Sequence, residues 1–82
     1  MSWFVYMIET KSGKLYTGIT TDIDRRFNEH KKLKTKGAKF FRSDPPQKIV
    51  YQENSENRSS ALKREAQIKK LSRKEKLQLV AK

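Results

Sequence analysis

The chain has 82 residues, about one small domain by length, and a chain this short buries only roughly 60% of its unfolded surface. Its 20 Lys and Arg against 9 Asp and Glu give a net charge of +11, which points to acidic partners. It has no Cys, so disulfide frameworks, thiolate zinc sites and cysteine nucleophiles are excluded, and the single histidine, His30, cannot build a histidine cage. The longest apolar run, Trp3 to Ile8, is far shorter than the roughly 20 residues of a membrane helix. The expectation is one domain over residues 1–82, with no membrane partner and a cytoplasmic location.

Trp3 to Ile8 is aromatic and β-branched, and Leu15 to Ile19 has the same character. Lys11-Ser12-Gly13-Lys14 between them is turn chemistry, so the two runs predict a β-hairpin. Thr20-Thr21-Asp22 offers helix caps, and Ile23, Phe27 and His30 recur at helical spacing, predicting a helix from about Asp22 to Leu33. Residues 34–46 have no period and end in Pro45-Pro46, which reads as a basic loop. Lys48 to Glu53 predicts a third strand, and Asn57 to Ser60 caps a second helix ending near Leu71. Ser72-Arg73-Lys74-Glu75 matches a capping box, with Leu77, Val80 and Ala81 as the stripe of a third short helix. The predicted order is β-β-α-β-α-α, an α+β fold with a three-stranded antiparallel sheet flanked by helices.

The charge is uneven along the chain. Residues 1–24 hold two Lys against Glu9, Asp22 and Asp24, whereas residues 25–82 hold 18 cations against six acids. A field of this sign favours phosphate polyanions, DNA or RNA, with salt-sensitive affinity; equally, surplus Lys keeps a small protein soluble. The candidate nucleic-acid contacts are Lys32, Lys34, Lys36, Lys39, Arg42 and Lys69. Lys39-Phe40-Phe41-Arg42 interleaves aromatics with cations, either to stack bases or to anchor the loop by burying a ring.

Other candidate site residues contradict their local pattern. At about 100° per residue from Leu62, Ala66, Ile68, Ala61 and Glu65 fall at roughly 40°, 240°, 260° and 300°. Glu65 thus lies inside the apolar arc, where a carboxylate needs a partner. Either it serves a site or it pairs with Lys69 at i+4, an exposed bond worth only about 0.3–0.5 kcal/mol. On the first helix Arg26 borders the buried stripe while Arg25 faces water, so Arg26 is either pre-positioned for bidentate phosphate contact or a packed stem with a solvated head. His30 shares that stripe as a core histidine or a site residue. Tyr6 and Tyr16 are an even number of residues apart, so a bulge-free hairpin with directly opposed residues puts both rings on one face. They share a site or simply pack. Gly18 either ends the second strand or admits a close approach.

Taken together, Val5-Tyr6, Tyr16-Thr17-Gly18, Arg26 and Glu65 resemble the GIY-YIG nuclease superfamily, over nearly the whole chain. The resemblance is greatest to its small stand-alone bacterial members of the YhbQ type, through Leu15 to Asp22, Arg25 to His30 and Arg64 to Leu71. It implies metal-dependent hydrolysis of phosphodiester bonds. Glu65 would hold one divalent cation, Mg²⁺ or Mn²⁺, Arg26 would neutralise phosphate charge, and Tyr6 or Tyr16 would take the proton from the attacking water. Phe4 replaces the first Gly of the family motif and Thr17 its second Ile. Ile19 stands where some repair nucleases carry lysine, and His30 where others have tyrosine, with a role in orienting phosphate or the base. The alternative is a non-catalytic nucleic-acid-binding or interaction module in DNA repair or processing.

Overall fold

The computed structural model describes residues 2–32 and 44–81, and side chains throughout except those of residues 30–32. Three strands and three helices follow the predicted order: β1 (Trp3–Thr10), β2 (Leu15–Thr20), α1 (Ile23–Lys32), β3 (Pro46–Ser55), α2 (Arg58–Lys69) and α3 (Arg73–Val80). The sheet is antiparallel, in the order β2-β1-β3. The most apolar strand is therefore central, and Val5, Tyr6, Met7 and Ile8 are all buried because both its faces are covered.

Alternation along β1 divides the core. On one face Tyr6 and Ile8 pack with Tyr16, Ile49 and the α1 residues Ile23 and Phe27. On the other, Val5 and Met7 pack with Ala61 and Ile68 of α2, and Trp3, Ile19, Val50, Tyr51, Leu79 and Val80 close around them. The β1–β3 register shifts between Met7 and Ile8, so Tyr51 pairs with Met7 and Ile49 with Ile8. The extra residue, Val50, lets Val50 and Tyr51 join one face while Ile49 joins the other.

The helix starts follow their capping residues. Asp22 Oδ1 accepts from the Arg25 N–H at 3.1 Å, and Asn57 Oδ1 accepts from Ser60 at 2.8 Å. The capping box of α3 is complete: Ser72 Oγ accepts from Glu75 N–H at 3.2 Å, and Glu75 Oε1 accepts from Ser72 N–H at 3.0 Å.

Three expectations change. Pro46 opens β3 instead of closing a loop, because a proline is tolerated as the first residue of an edge strand. Gly18 lies inside β2, which continues to Thr20. The buried arc of α2 is narrower than its apolar residues suggested: Ala61 and Ile68 are buried, whereas Leu62 is 41% exposed. The basic-loop residues 34–43, with Lys34, Lys36, Lys39, Phe40, Phe41 and Arg42, lie outside the described residues.

Candidate nucleic-acid cleavage site

Strand register brings the first two candidates together. Tyr6 pairs with Gly18 and Ile8 with Tyr16, so the two tyrosines are diagonal neighbours on one face. Their ring centroids are 6.5 Å apart at an interplanar angle of 34°. The parity argument from the sequence holds because the β1–β2 ladder has no bulge.

Gly18 determines where the Tyr6 ring goes. A Cβ on Gly18 would stand 2.5 Å from the Tyr6 hydroxyl oxygen and 2.7 Å from Cζ, so the ring lies directly across the glycine, toward the edge strand. The close approach suspected at this position is therefore made by the protein's own phenol. Tyr6 is buried at 2% exposure, whereas Tyr16 is half-buried.

α1 supplies the cation. Ile23 and Phe27 turn toward the sheet, which leaves Arg25 exposed and Arg26 half-buried one step round the helix. Arg26 Nη1 donates to Glu29 Oε1 at 3.2 Å, and its guanidinium is near enough to the Tyr6 hydroxyl for each to act on the other's ionisation. Burial alone would lower the Arg26 pKa, but the bond to Glu29 and the nearby Tyr6 phenol outweigh it and raise the value, so the cation is firmly held. Glu29 was not singled out from the sequence, although its i,i+3 spacing from Arg26 was the available signal.

The Tyr6 hydroxyl is pushed up to about 12, first by burial and then by Tyr16; Arg26 opposes the rise, and Glu65 adds to it. The Glu65 carboxylate is thus felt at the phenol. Glu65 comes from the opposite side of the sheet, since α2 packs through Ala61 and Ile68 against the Val5–Met7 face. Its position at the border of that buried arc leaves its side chain 19% exposed, and its Oε2 lies 3.4 Å from Lys69 Nζ. The i,i+4 pair and the proximity to Tyr6 therefore coexist. On the other border of the arc, Arg64 Nε bonds Glu53 Oε1 at 2.6 Å, and Glu53 Oε2 accepts from the Tyr51 hydroxyl at 2.8 Å. That network ties α2 to β3, away from the tyrosine pair.

Tyr6 and Tyr16 form one contact group, and Arg26 and Glu65 join it electrostatically. Lys69 is engaged with Glu65. The side chains of His30 and Lys32 are outside the described residues. No cluster of three or more His, Cys, Asp or Glu suited to a metal occurs among the described residues; Glu29 is taken up by Arg26, so the carboxylate that would hold a cation here is Glu65. A single carboxylate fits Mg²⁺, which usually keeps several waters and takes phosphate oxygens as its other ligands.

The pattern of the GIY-YIG catalytic domain matches residues 2–78. The chain belongs to the GIY-YIG family. Among its relatives, a UPF0213 protein of Desulfotalea psychrophila is 51% identical over 71 residues, which cover 87% of this chain and 64% of that protein. The UPF0213 protein YhbQ of Escherichia coli is 43% identical over 79 residues, covering 96% of this chain and 77% of that one. The solution NMR structure of a UPF0213 protein from Bacillus halodurans superposes with a TM-score of 0.61 at 41% identity, covering 99% of this chain and 84% of its own. Within this GIY-YIG domain, Tyr6, Tyr16, Arg26 and Glu65 stand at the positions on which the sequence resemblance rests. No helix among the described residues is long and apolar enough to cross a membrane.

Proposed function

We propose that this GIY-YIG domain binds DNA or RNA and hydrolyses a phosphodiester bond at the group formed by Tyr6, Tyr16, Arg26 and Glu65. The observation that carries the reading is the Tyr6–Tyr16 ring pair on one face of the sheet, with Arg26, bonded to Glu29, and the Glu65 carboxylate both near enough to act on the Tyr6 phenol. A packed stem with a solvated head needs no such partner, so the phosphate-binding role of Arg26 is the better account.

Each side chain has a distinct part. Arg26, fixed by Glu29, offers a planar donor pair to the phosphate and neutralises the charge that builds up during attack. Tyr6 stays protonated at neutral pH because burial disfavours its anion, so it orients Arg26 and does not act as the base. The proton of the attacking water is assigned to Tyr16, the more solvent-accessible of the two phenols. Glu65 would hold Mg²⁺ or Mn²⁺, whose chemistry when bound is to polarise a phosphoryl oxygen. Lys69 would then exchange Glu65 for backbone phosphate, and the cations of residues 25–82 would attract the rest of the polyanion. The protein's substrate would be the nucleic acid of the cytoplasm.

The test is a nicking assay on branched, single-stranded and duplex DNA and on RNA, with Mg²⁺ or Mn²⁺. Glu65→Ala, Arg26→Ala and Tyr16→Phe should each lose roughly 10²–10³-fold in cleavage rate, while Glu65→Ala retains binding. Variants that cut like wild type would remove the site. Wild-type binding with no cut on any substrate would establish instead a non-catalytic binding module in DNA repair or processing.

A further inference from the structure

A second concentration of positive charge lies apart from the tyrosine group. Lys14 and Leu15, where the β1–β2 turn enters β2, meet Arg73 and Lys76 of α3 around a cavity of about 240 Å³. That volume is roughly eight times the share of one liquid water, room for a hydrated phosphate group. Three of the four lining side chains are cations and none is an acid. The Arg73 guanidinium lies over the turn, since a Cβ on Gly13 would stand 3.8 Å from its Nη2.

Among the described residues these three cations converge without a carboxylate partner, unlike those of the ion-paired positions. Arg26, Lys48, Arg64 and Lys69 each have a carboxylate within 4 Å, whereas no such pair among the described residues involves Lys14, Arg73 or Lys76. Lys14 acts on the Asp44 carboxylate, but the two oxygens of Asp44 are already bonded to Thr10 and Ser12, at 2.7 Å from Thr10 Oγ1 and 2.6 Å from Ser12 Oγ. Asp44 thus pins the turn. Two distant chain segments are therefore folded together with their like charges converging, an arrangement that an oxyanion relieves.

We infer that the pocket of Lys14, Arg73 and Lys76 is an oxyanion site that takes a backbone phosphate of the bound nucleic acid, away from the bond that is cut. The inference rests on the nucleic-acid binding of the preceding reading, not on its chemistry. Lys14 is two residues before Tyr16, about 7 Å along an extended strand. β2 is an edge strand, so a polynucleotide held at Tyr16 can follow that edge to the pocket. The contact carries no base information; it sets the register of the strand over the site.

The experiment compares the full chain with the variant Lys14→Gln/Arg73→Gln/Lys76→Gln, all three side chains being solvent-accessible, with thermal melting as the check on folding. A short fluorescent single-stranded DNA and a duplex are titrated at several salt concentrations. Loss of the one phosphate contact should reduce the slope of log affinity against log salt by about 0.7 for single-stranded DNA and about 0.9 for duplex. In the wild type, the Gly13 and Leu15 amide resonances should move with DNA. An unchanged slope, or amides that do not move, overturns the pocket. Amide shifts that inorganic phosphate reproduces, with no change in DNA slope, mark a free-phosphate site and also overturn it. The two proposals separate cleanly: a reduced slope with a wild type that cuts nothing leaves the pocket standing and removes the nuclease. Cutting with an unchanged slope does the reverse.

Discussion

The Tyr6 ring lies over Gly18, its partner across the β1–β2 ladder, so closely that a single methyl at residue 18 would meet the phenol oxygen at 2.5 Å. The far end of a side chain can often swing aside from such a methyl. Tyr6 cannot do so cheaply, because its ring is buried and packed against Tyr16, Ile23, Phe27 and Ile49. Gly18→Ala is therefore expected to cost about 1–3 kcal/mol by overpacking and to displace Arg26 along with the phenol. Melting and nicking assays on the same preparation check this. A variant with normal stability and normal cleavage would show that the ring is not held where the site requires it.

The phenol of Tyr6 also predicts a pH dependence. Its folded value, pushed up to about 12 by burial, exceeds the ordinary value of about 10, so the fold favours the neutral form. The corresponding stability is complete below about pH 10, erodes as pH rises toward 12 and is lost above it. Denaturant unfolding across that window should show wild type losing stability more steeply than Tyr6→Phe. Tyr51, raised by burial and by its bond to Glu53, contributes the same background to both proteins. Parallel curves would mean that Tyr6 ionises freely in the folded state.

Thr17 carries an opposite expectation. It is 3% exposed, and its Oγ1 has no hydrogen-bond partner among the described residues. Thr17→Val replaces that hydroxyl with a methyl of similar shape in a strand that suits β-branched residues, and should stabilise the fold by about 1 kcal/mol. For a domain of this size the melting temperature would rise by roughly 4–8 °C. Because Thr17 alternates to the face away from Tyr6 and Tyr16, cleavage should not change. A lower melting temperature would reveal an ordered partner for the hydroxyl.

Much of this molecule is legible in its sequence because the deciding forces are local. The hairpin follows from turn residues between two apolar runs, the start of α3 from the Ser72–Glu75 capping box, and the shared face of Tyr6 and Tyr16 from strand parity alone. Helical spacing likewise separates Arg26 from the exposed Arg25. What the sequence could not decide depends on contacts between elements distant in the chain. The shift at Val50 that sends Ile49 and Tyr51 to opposite faces answers to packing on both sides of β1. Glu65 had two adequate partners by pattern, Lys69 or a site, and only the docking of α2 puts it within electrostatic reach of Tyr6 while Lys69 stays bound. Local periodicity determines which side of an element is buried; which partner waits there is determined by tertiary packing, because burial and charge act through space and not along the chain.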